Sequence, residues 1–169
     1  MVEQLSGMVH EILETSKLNT TDEPAKPIDI AELMAELCAP YQMIAAAHQI
    51  IFSLDLPEQF PATLPASRFS KAVSNVLANA VAYTEAGKSV SIYMDENRLS
   101  IENECDPIPD CEVRRLFEPF YRPDFSRSRE SGGNGLGLYI VDTLLTSMDI
   151  RYSFVPMKSP PGMCFTIQL

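Results

Sequence analysis

The feature that most constrains this chain is a glycine-dense turn at residues 131–138, which reads Ser-Gly-Gly-Asn-Gly-Leu-Gly-Leu. Four of the seven glycines of the chain lie in this turn, and a helical pattern follows directly at residues 139–145. Glycine is needed where the backbone takes a positive φ or approaches a ligand closely. A helix that begins there points its N–H groups and positive dipole end at whatever lies in front. The pattern indicates a phosphate cradle, although turns that bind nothing show it too.

Length and composition indicate one globular domain with room for an appendage, since the 169 residues are 46% hydrophobic and 21% charged. No run approaches the roughly 18 to 20 apolar residues of a membrane span, so we expect any membrane link to lie outside this piece. The four cysteines show no metal-binding spacing. We therefore expect reduced thiols and a cytoplasmic domain.

The charge distribution argues against nucleic acid as a partner, because the net charge is −10 at pH 7. One basic island stands out, with five of the thirteen basic residues between positions 114 and 129. It is either a solvated loop or a set of guanidinium groups that hold polyphosphate.

Residues 2–18 are predicted to form an amphipathic helix. Its apolar stripe has three- and four-residue spacing and consists of Val2, Leu5, Val9, Ile12 and Leu13. A polar breaker follows at 19–24 and leaves the stripe without a local partner. We interpret this helix as the end of a helical bundle.

The next segments predict a short edge strand at 27–30 and a helix that starts at or just after Asp29. Residues 40–48 continue that helix after a kink at Pro40. Residues 50–54 are predicted to form a buried strand.

A more informative helix is predicted at residues 67–84. Its polar stripe contains Asn75 and Asn79, which project side by side at four-residue spacing. Asparagine is a poor helix former. The pair is either part of a solvated face or a source of amide oxygens for Mg²⁺ that bridges phosphates.

A hairpin is predicted next, with a turn at 96–97, and Asn103 ends its inward-facing row. A buried amide needs a partner, because leaving it unsatisfied costs about 1–3 kcal/mol; a nucleobase edge would serve. A short helix around 113–117 and closing strands at 151–155 and 164–169 complete the pattern.

Three blocks carry these features: Ser-Asn-Val-Leu-Ala-Asn-Ala at 74–80 with Tyr-Thr at 83–84, Leu-Phe-Glu-Pro-Phe-Tyr-Arg at 116–122, and Gly-Asn-Gly-Leu-Gly-Leu at 133–138. In this order and spacing they resemble the ATP-binding domain of bacterial sensor histidine kinases. The resemblance covers residues 25–169, whereas residues 1–21 resemble the second helix of the family's dimerisation and phosphoacceptor bundle.

The resemblance implies an α+β fold. It is a two-layer α/β sandwich of the Bergerat type, with a mixed sheet, helices on one face and an ATP lid. Gyrase, the Hsp90 chaperones and mismatch-repair ATPases share it.

The resemblance also implies ligand roles. Asn79 would be the Mg²⁺ ligand, Asn75 would contact or support phosphate, and Tyr83 would lie near the nucleotide. Asn103 stands where the family usually has an aspartate that reads the adenine amino group, and Ile108 would pack on the base.

The remaining implied roles belong to the lid and the cradle. Phe117, Phe120 and Tyr121 would anchor the lid, and Arg122 and Arg127 would contact phosphate. The cradle would consist of Gly133, Gly135, Leu136 and Gly137.

Two departures from the family pattern concern the ligand site. The usual Asp-x-Gly-x-Gly adenine loop is here Asn-Glu-Cys-Asp-Pro at 103–107, so an amide replaces the carboxylate and both glycines are missing. Ala82 stands where many relatives carry a basic residue. These changes leave open a slow kinase or an altered nucleotide preference.

A third departure concerns the nucleophile. The family presents its phosphoacceptor as His-Glu-x-x-x-Pro, and His10-Glu11 matches only the start. We therefore expect no catalytic nucleophile in this chain and a phosphoacceptor histidine supplied from elsewhere.

The implied function is to bind Mg-ATP and donate the γ-phosphate to a histidine of the dimerisation domain, for relay to a response regulator aspartate. The full-length protein would be a homodimeric, membrane-anchored sensor. An ATP hydrolase of the same fold is one alternative, although such relatives place a glutamate base at the position of Asn75. A degenerate pseudokinase that only docks a partner is the other.

Overall fold

The computed structural model describes residues 2–20, 22–123 and 133–169. The predicted helices, hairpin and closing strands are present in it, and Arg114–Phe117 forms a 3-10 turn. The other elements are, in chain order, α1 (Val2–Thr20), β1 (Lys26–Asp29), α2 (Ile30–Ala47), β2 (Ile51–Asp55), β3 (Pro61–Leu64), α3 (Ala66–Ala82), β4 (Ser89–Asp95), β5 (Arg98–Glu104), α4 (Asp110–Val113), α5 (Gly137–Ser147), β6 (Tyr152–Lys158) and β7 (Pro161–Gln168).

The main sheet has five strands in the order β2-β4-β5-β7-β6. β2 runs parallel to β4, and the other neighbouring pairs are antiparallel, so the sheet is mixed. The register aligns Ile92 with Ile101 and Ile101 with Phe165, and all three side chains are buried. Alternation along each strand thus puts one apolar face toward the core.

The helices cover that apolar face. Side chains of α2, α3 and α5 join those of the sheet in one buried cluster, and Met34, Phe69 and Leu144 are fully buried within it. The opposite face of the sheet carries polar side chains such as Ser53 and Ser91, whose hydroxyls hydrogen-bond at 3.0 Å. The predicted two-layer α/β architecture with helices on one face is confirmed.

The start of α2 is fixed by Asp29, as the sequence predicts. Its carboxylate accepts hydrogen bonds from the backbone N–H of Ala31 at 3.0 Å and of Phe60 at 2.9 Å. The first bond caps the helix, and the second ties β1 to the segment before β3. Residues 40–47 continue α2, which contains Pro40 in its interior.

The strand predicted at 50–54 is present as β2, but the prediction that it is buried is wrong. β2 lies at the edge of the sheet, with β4 as its neighbour, and Ile51 is 62% exposed. Phe52 and Leu54 are only half-buried. An apolar run in the sequence shows that a strand is favoured, but its depth depends on which elements cover it.

The first helix lies partly on the domain. Thr15 is buried, and the Nε of Arg68 in α3 donates to the Leu18 carbonyl at 2.8 Å. The predicted apolar stripe of α1 nevertheless stays exposed, with values of 81% for Val2 and 53% for Leu13. In the part of the chain that the structure describes, no helix is both long and apolar enough to cross a membrane.

Candidate functional site

A cavity of about 310 Å³ lies between α3, the end of β5, the segment after the 3-10 turn and the glycine turn. Its volume falls at the lower end of the roughly 300–1,000 Å³ typical of ligand sites. Its lining residues include Glu11, Asn75, Asn79, Tyr83, Glu85, Lys88, Asn103, Cys105, Asp106, Ile108, Arg122, Gly133, Asn134, Gly135, Gly137, Phe154 and Met163.

The polar stripe of α3 forms one wall. Asn75 and Asn79 both line the cavity, while the other side of the helix is buried in the core. The Asn75 Nδ2 donates to the Lys71 carbonyl at 2.9 Å, which turns the amide oxygen away from that carbonyl. That oxygen lies 3.7 Å from the position that a Cβ on Gly137 would occupy. An amide oxygen of α3 thus lies close to the start of α5 at the edge of the cavity.

Asn103 forms part of the same wall from the end of β5. It is 6% exposed, and its Nδ2 donates to the Thr84 hydroxyl at 3.5 Å. Thr84, 7% exposed, in turn donates to the Ala80 carbonyl at 2.7 Å. The partner that the buried amide requires is therefore a threonine just after the end of α3.

The floor next to Asn103 is apolar. Ile108 and Met163 line the cavity, and the Ile108 N–H donates to the Met163 sulfur at 3.4 Å. This contact fixes the loop after β5 against β7. The loop therefore keeps a defined path although Cys105 and Pro107 replace glycines of the family pattern.

The glycine turn forms the opposite wall. Gly135 has a φ of +78°, and a Cβ there would lie 2.8 Å from the carbonyl carbon of Phe120. The Phe120 N–H donates to the Gly135 carbonyl at 3.0 Å. Glycine is therefore needed at 135 both for its left-handed conformation and for the close backbone contact.

Helix α1 also reaches this wall. The Asn134 Nδ2 donates to the Glu11 carboxylate at 2.7 Å, and the Asn134 Oδ1 accepts from the Leu136 N–H at 3.1 Å. Asn134 thereby joins α1 to the turn that precedes α5. Glu11 brings a negative charge to the cavity.

The aromatic residues before the glycine turn differ in burial. The Phe117 ring packs on Tyr152 with centroids 5.4 Å apart, and the guanidinium of Arg115 lies 4.3 Å from the Tyr121 ring centroid. Burial and the hydrogen bond to Asp142 raise the pKa of Tyr152 well above its usual range. Phe120 is 56% exposed, so it contributes its backbone rather than its ring.

The structure brings most of the predicted ligand residues together. Those that line the cavity are Asn75, Asn79, Tyr83, Asn103, Ile108, Arg122, Gly133, Gly135 and Gly137. Leu136 lies in the core at 1% exposure, and Phe120 points to solvent. Arg127 lies outside the described residues.

Residues 65–169, more than half of the chain, match the model of the histidine kinase-, DNA gyrase B- and HSP90-like ATPase family. This chain belongs to that family. The cavity between α3 and the glycine turn is therefore the candidate nucleotide site of a histidine kinase-type ATPase domain.

The curated relatives are sensor kinases. The chain is 37% identical over 175 residues to the sensor protein VanSB of Enterococcus faecalis, covering 100% of this chain and 39% of that protein. It is 29% identical over 168 residues to the sensor histidine protein kinase HK06 of Streptococcus pneumoniae, covering 99% of this chain and 37% of that protein. The chain thus spans about two fifths of the length of these relatives.

Solved structures show the same fold. The full-length ShkA structure in complex with AMPPNP has a TM-score of 0.79 at 23% identity and covers 96% of this chain and 35% of its own. A nucleotide-free structure of the catalytic domain of histidine kinase ThkA has a TM-score of 0.73 at 19% identity and covers 86% of this chain and 94% of its own.

Sequence reasoning missed several residues of this ATPase-domain site. Glu11 and Lys88 line the cavity from α1 and from the turn before β4, and Met163 lines it from β7. Thr84 stands next to Tyr83 in the first block, but the sequence does not show its contact with Asn103, which is 19 positions away. No local pattern marks Lys88 or Met163 as part of a site.

Proposed function

We propose that this chain binds Mg-ATP in the cavity and presents the γ-phosphate to a histidine of a dimerisation domain, for relay to an aspartate of a response regulator. The observation that carries the proposal is the approach of Asn75 to Gly137, where an amide oxygen faces a helix start at 3.7 Å from the position of an added Cβ. Phosphoryl transfer needs mainly positioning and charge neutralisation, which suits a site built from amides and glycines.

The described donors fit a magnesium ion that is held largely by the nucleotide. Asn79 lines the cavity and offers a neutral oxygen. Among residues 2–20, 22–123 and 133–169, no group of three or more His, Cys, Asp or Glu side chains could hold a metal ion by itself. Mg²⁺ commonly keeps several waters and binds through few protein ligands plus substrate phosphates. Bound there, it would neutralise phosphate charge.

The geometry argues against the hydrolase alternative. The Asn75 amide nitrogen already donates to the Lys71 carbonyl, and an amide oxygen is too weak a base to take a proton from water. In this proposal Asn75 contacts and orients the phosphate groups, a role that a neutral amide can fill.

The receiving histidine is proposed to lie in the dimerisation domain of the longer protein. His10 is 73% exposed on α1 and faces Glu14 at 3.2 Å, whereas the cavity is lined from α1 by Glu11. The exposed stripe of α1 supports a bundle partner, and the sensor kinase relatives support a homodimeric, membrane-anchored whole protein with this domain in the cytoplasm.

The first test is calorimetric titration with a non-hydrolysable ATP analogue, with and without Mg²⁺. We expect Mg²⁺-dependent binding that Asn79→Ala weakens by at least about tenfold, the loss of about 1.4 kcal/mol. Asn97→Ala, in the exposed turn between β4 and β5, is the matched control and should bind like the parent. Absence of binding at millimolar nucleotide would reject the proposal in favour of the docking module.

Cysteine alkylation locates the binding. Cys105 lines the cavity, whereas Cys111 is exposed and outside it. Nucleotide should slow alkylation of Cys105 and leave that of Cys111 unchanged, as read by mass spectrometry of the peptides. Equal rates with and without saturating nucleotide would place the ligand elsewhere.

Transfer itself is tested with radiolabelled ATP and a separately supplied dimerisation domain of the same full-length protein. We expect an acid-labile, alkali-stable label on that domain, and its loss with Asn79→Ala. Tight ATP binding without any transfer would retain the nucleotide site but reject the kinase step.

A further inference from the structure

The hydrogen bonds around Thr84 decide which end of the Asn103 amide faces a ligand. A hydroxyl has one hydrogen. Thr84 directs it to the Ala80 carbonyl at 2.7 Å, so its oxygen can only accept from Asn103. The Asn103 Nδ2 lies 3.5 Å from that oxygen, in agreement with this requirement. The opposite orientation would set the amide oxygen against the hydroxyl lone pairs.

The backbone of Asn103 is also held in place. Asn103 pairs with Val90 on one side and with Met163 on the other. A Cβ on Gly162 would overlap the Asn103 carbonyl oxygen, so β7 approaches β5 closely at this point. The amide therefore belongs to a fixed strand end, and its orientation depends on the side-chain partner.

The carbonyl end of the amide is the end that remains for a ligand in the cavity, which Asn103 lines together with Ile108 and Met163. Adenine carries an amino group at C6, which donates hydrogen bonds, whereas guanine carries a carbonyl oxygen there. A fixed amide oxygen accepts from the first and repels the second. An asparagine whose side-chain amide can flip would bind either base.

We propose that Thr84 is a positioning residue that makes the site selective for adenine over guanine nucleotides by fixing the orientation of the Asn103 amide. This inference rests on the proposed nucleotide binding. It explains how an asparagine keeps the acceptor role of the aspartate that the family pattern has at this position. Selectivity comes from the cost of leaving a buried polar group wrongly paired.

The test is the ratio of the dissociation constants for GTP and ATP analogues, measured by calorimetry with Mg²⁺. Thr84→Val removes the hydroxyl at nearly constant volume. We expect the ratio to fall roughly tenfold, because the affinity for GTP rises and the affinity for ATP falls. Thr84→Ser keeps the hydroxyl and should keep the ratio. A purely structural effect would weaken the binding of both nucleotides equally and leave the ratio unchanged, and this result would overturn the inference.

A second comparison isolates the amide. In the Asn103→Asp variant the side chain has two acceptor oxygens, so no flip can present a donor to the ligand. In that variant, the additional Thr84→Val change should leave the GTP to ATP ratio unaltered. An equal fall in ratio with and without Asn103→Asp would show that Thr84 acts through something other than this amide.

The unaltered protein gives a test that needs no substitution. The Nδ2 protons of Asn103 should show nuclear Overhauser contacts to the Thr84 side chain, and their absence in a well-resolved spectrum would overturn the inference. A parent protein that binds GTP as tightly as ATP would also overturn it while leaving nucleotide binding intact. Loss of all nucleotide binding would instead reject the proposed function itself.

Discussion

The two walls of the cavity are held by different kinds of interaction. The α3 wall carries Asn75 and Asn79 on the outer stripe of a helix whose inner stripe, including Phe69 and Leu77, is fully buried. Apart from Leu136, which packs in the core, the glycine-turn wall is held by hydrogen bonds, from Phe120 to Gly135 at 3.0 Å and from Asn134 to Glu11 at 2.7 Å.

This difference separates stability from ligand geometry. A wall supported by the core shares the free energy of unfolding of the whole domain, because its side chains belong to one packed cluster. A wall supported by a few backbone and polar contacts can be altered at small cost to the fold. We therefore expect core substitutions in the α3 wall to affect mainly the free energy of unfolding, and substitutions in the glycine-turn wall to affect mainly nucleotide binding.

The largest effect is expected for Phe69→Ala. Removal of a fully buried ring from α3 leaves a cavity, and we expect the free energy of unfolding to fall by about 3–5 kcal/mol. Phe120→Ala is the matched change in the other wall, and its exposed ring should contribute less than about 0.5 kcal/mol. Urea denaturation measures both. Similar losses for the two variants would break the distinction between the walls.

A smaller effect on stability and a large one on binding are expected for Gly135→Ala. The left-handed φ of +78° and the overlap with Phe120 would shift the turn. We expect about 1–3 kcal/mol of destabilisation, with nucleotide binding weakened by at least about tenfold.

Gly133→Ala is the control, because a Cβ there would meet nothing within 4 Å. It should leave the unfolding midpoint unchanged and weaken nucleotide binding much less than Gly135→Ala does, although Gly133 also lines the cavity. Equal losses in Gly133→Ala and Gly135→Ala would show that the close contact with Phe120 is not what matters.

The smallest effect is expected for Glu11→Gln. The substitution keeps an acceptor for Asn134 but removes a negative charge from the cavity. ATP affinity should rise roughly three- to tenfold, less for ADP, because the carboxylate no longer repels phosphate. The gain should shrink at high salt.

Glu14→Gln makes the same charge change on the same helix and serves as the control. Glu14 faces Lys71 at 3.6 Å, outside the cavity lining. An equal gain in both variants would assign the effect to net charge. A loss of affinity in Glu11→Gln would mean that the Asn134 contact needs the charge.

Much of the site followed from local sequence pattern. The spacing of Asn75 and Asn79 placed them on one helical stripe, and the alternation in β5 placed Asn103 on the inner face. The glycine cluster predicted a tight turn before α5, and within it Gly135 has a positive φ. These features depend on neighbours within a few residues, so helix and strand periodicity is enough to predict them.

Other features depended on which elements meet in space. The predicted burial of residues 50–54 was wrong because β2 is an edge strand. Leu136 was predicted to be part of the cradle but packs in the core. Phe120 was predicted to anchor the lid, but its ring is exposed and its backbone N–H bonds to Gly135. The side chain of a residue in a turn can face either way, and only packing decides.

The sequence by itself determined the element order, the inward faces of α3 and β5, and the need for glycine at the turn, because backbone sterics and hydrophobic periodicity are local. Only the tertiary structure decided that Asn134 meets Glu11, 123 positions away, and that Thr84 meets Asn103, 19 positions away. Such contacts arise when packed elements bring distant polar groups within hydrogen-bond distance. No local pattern encodes that distance.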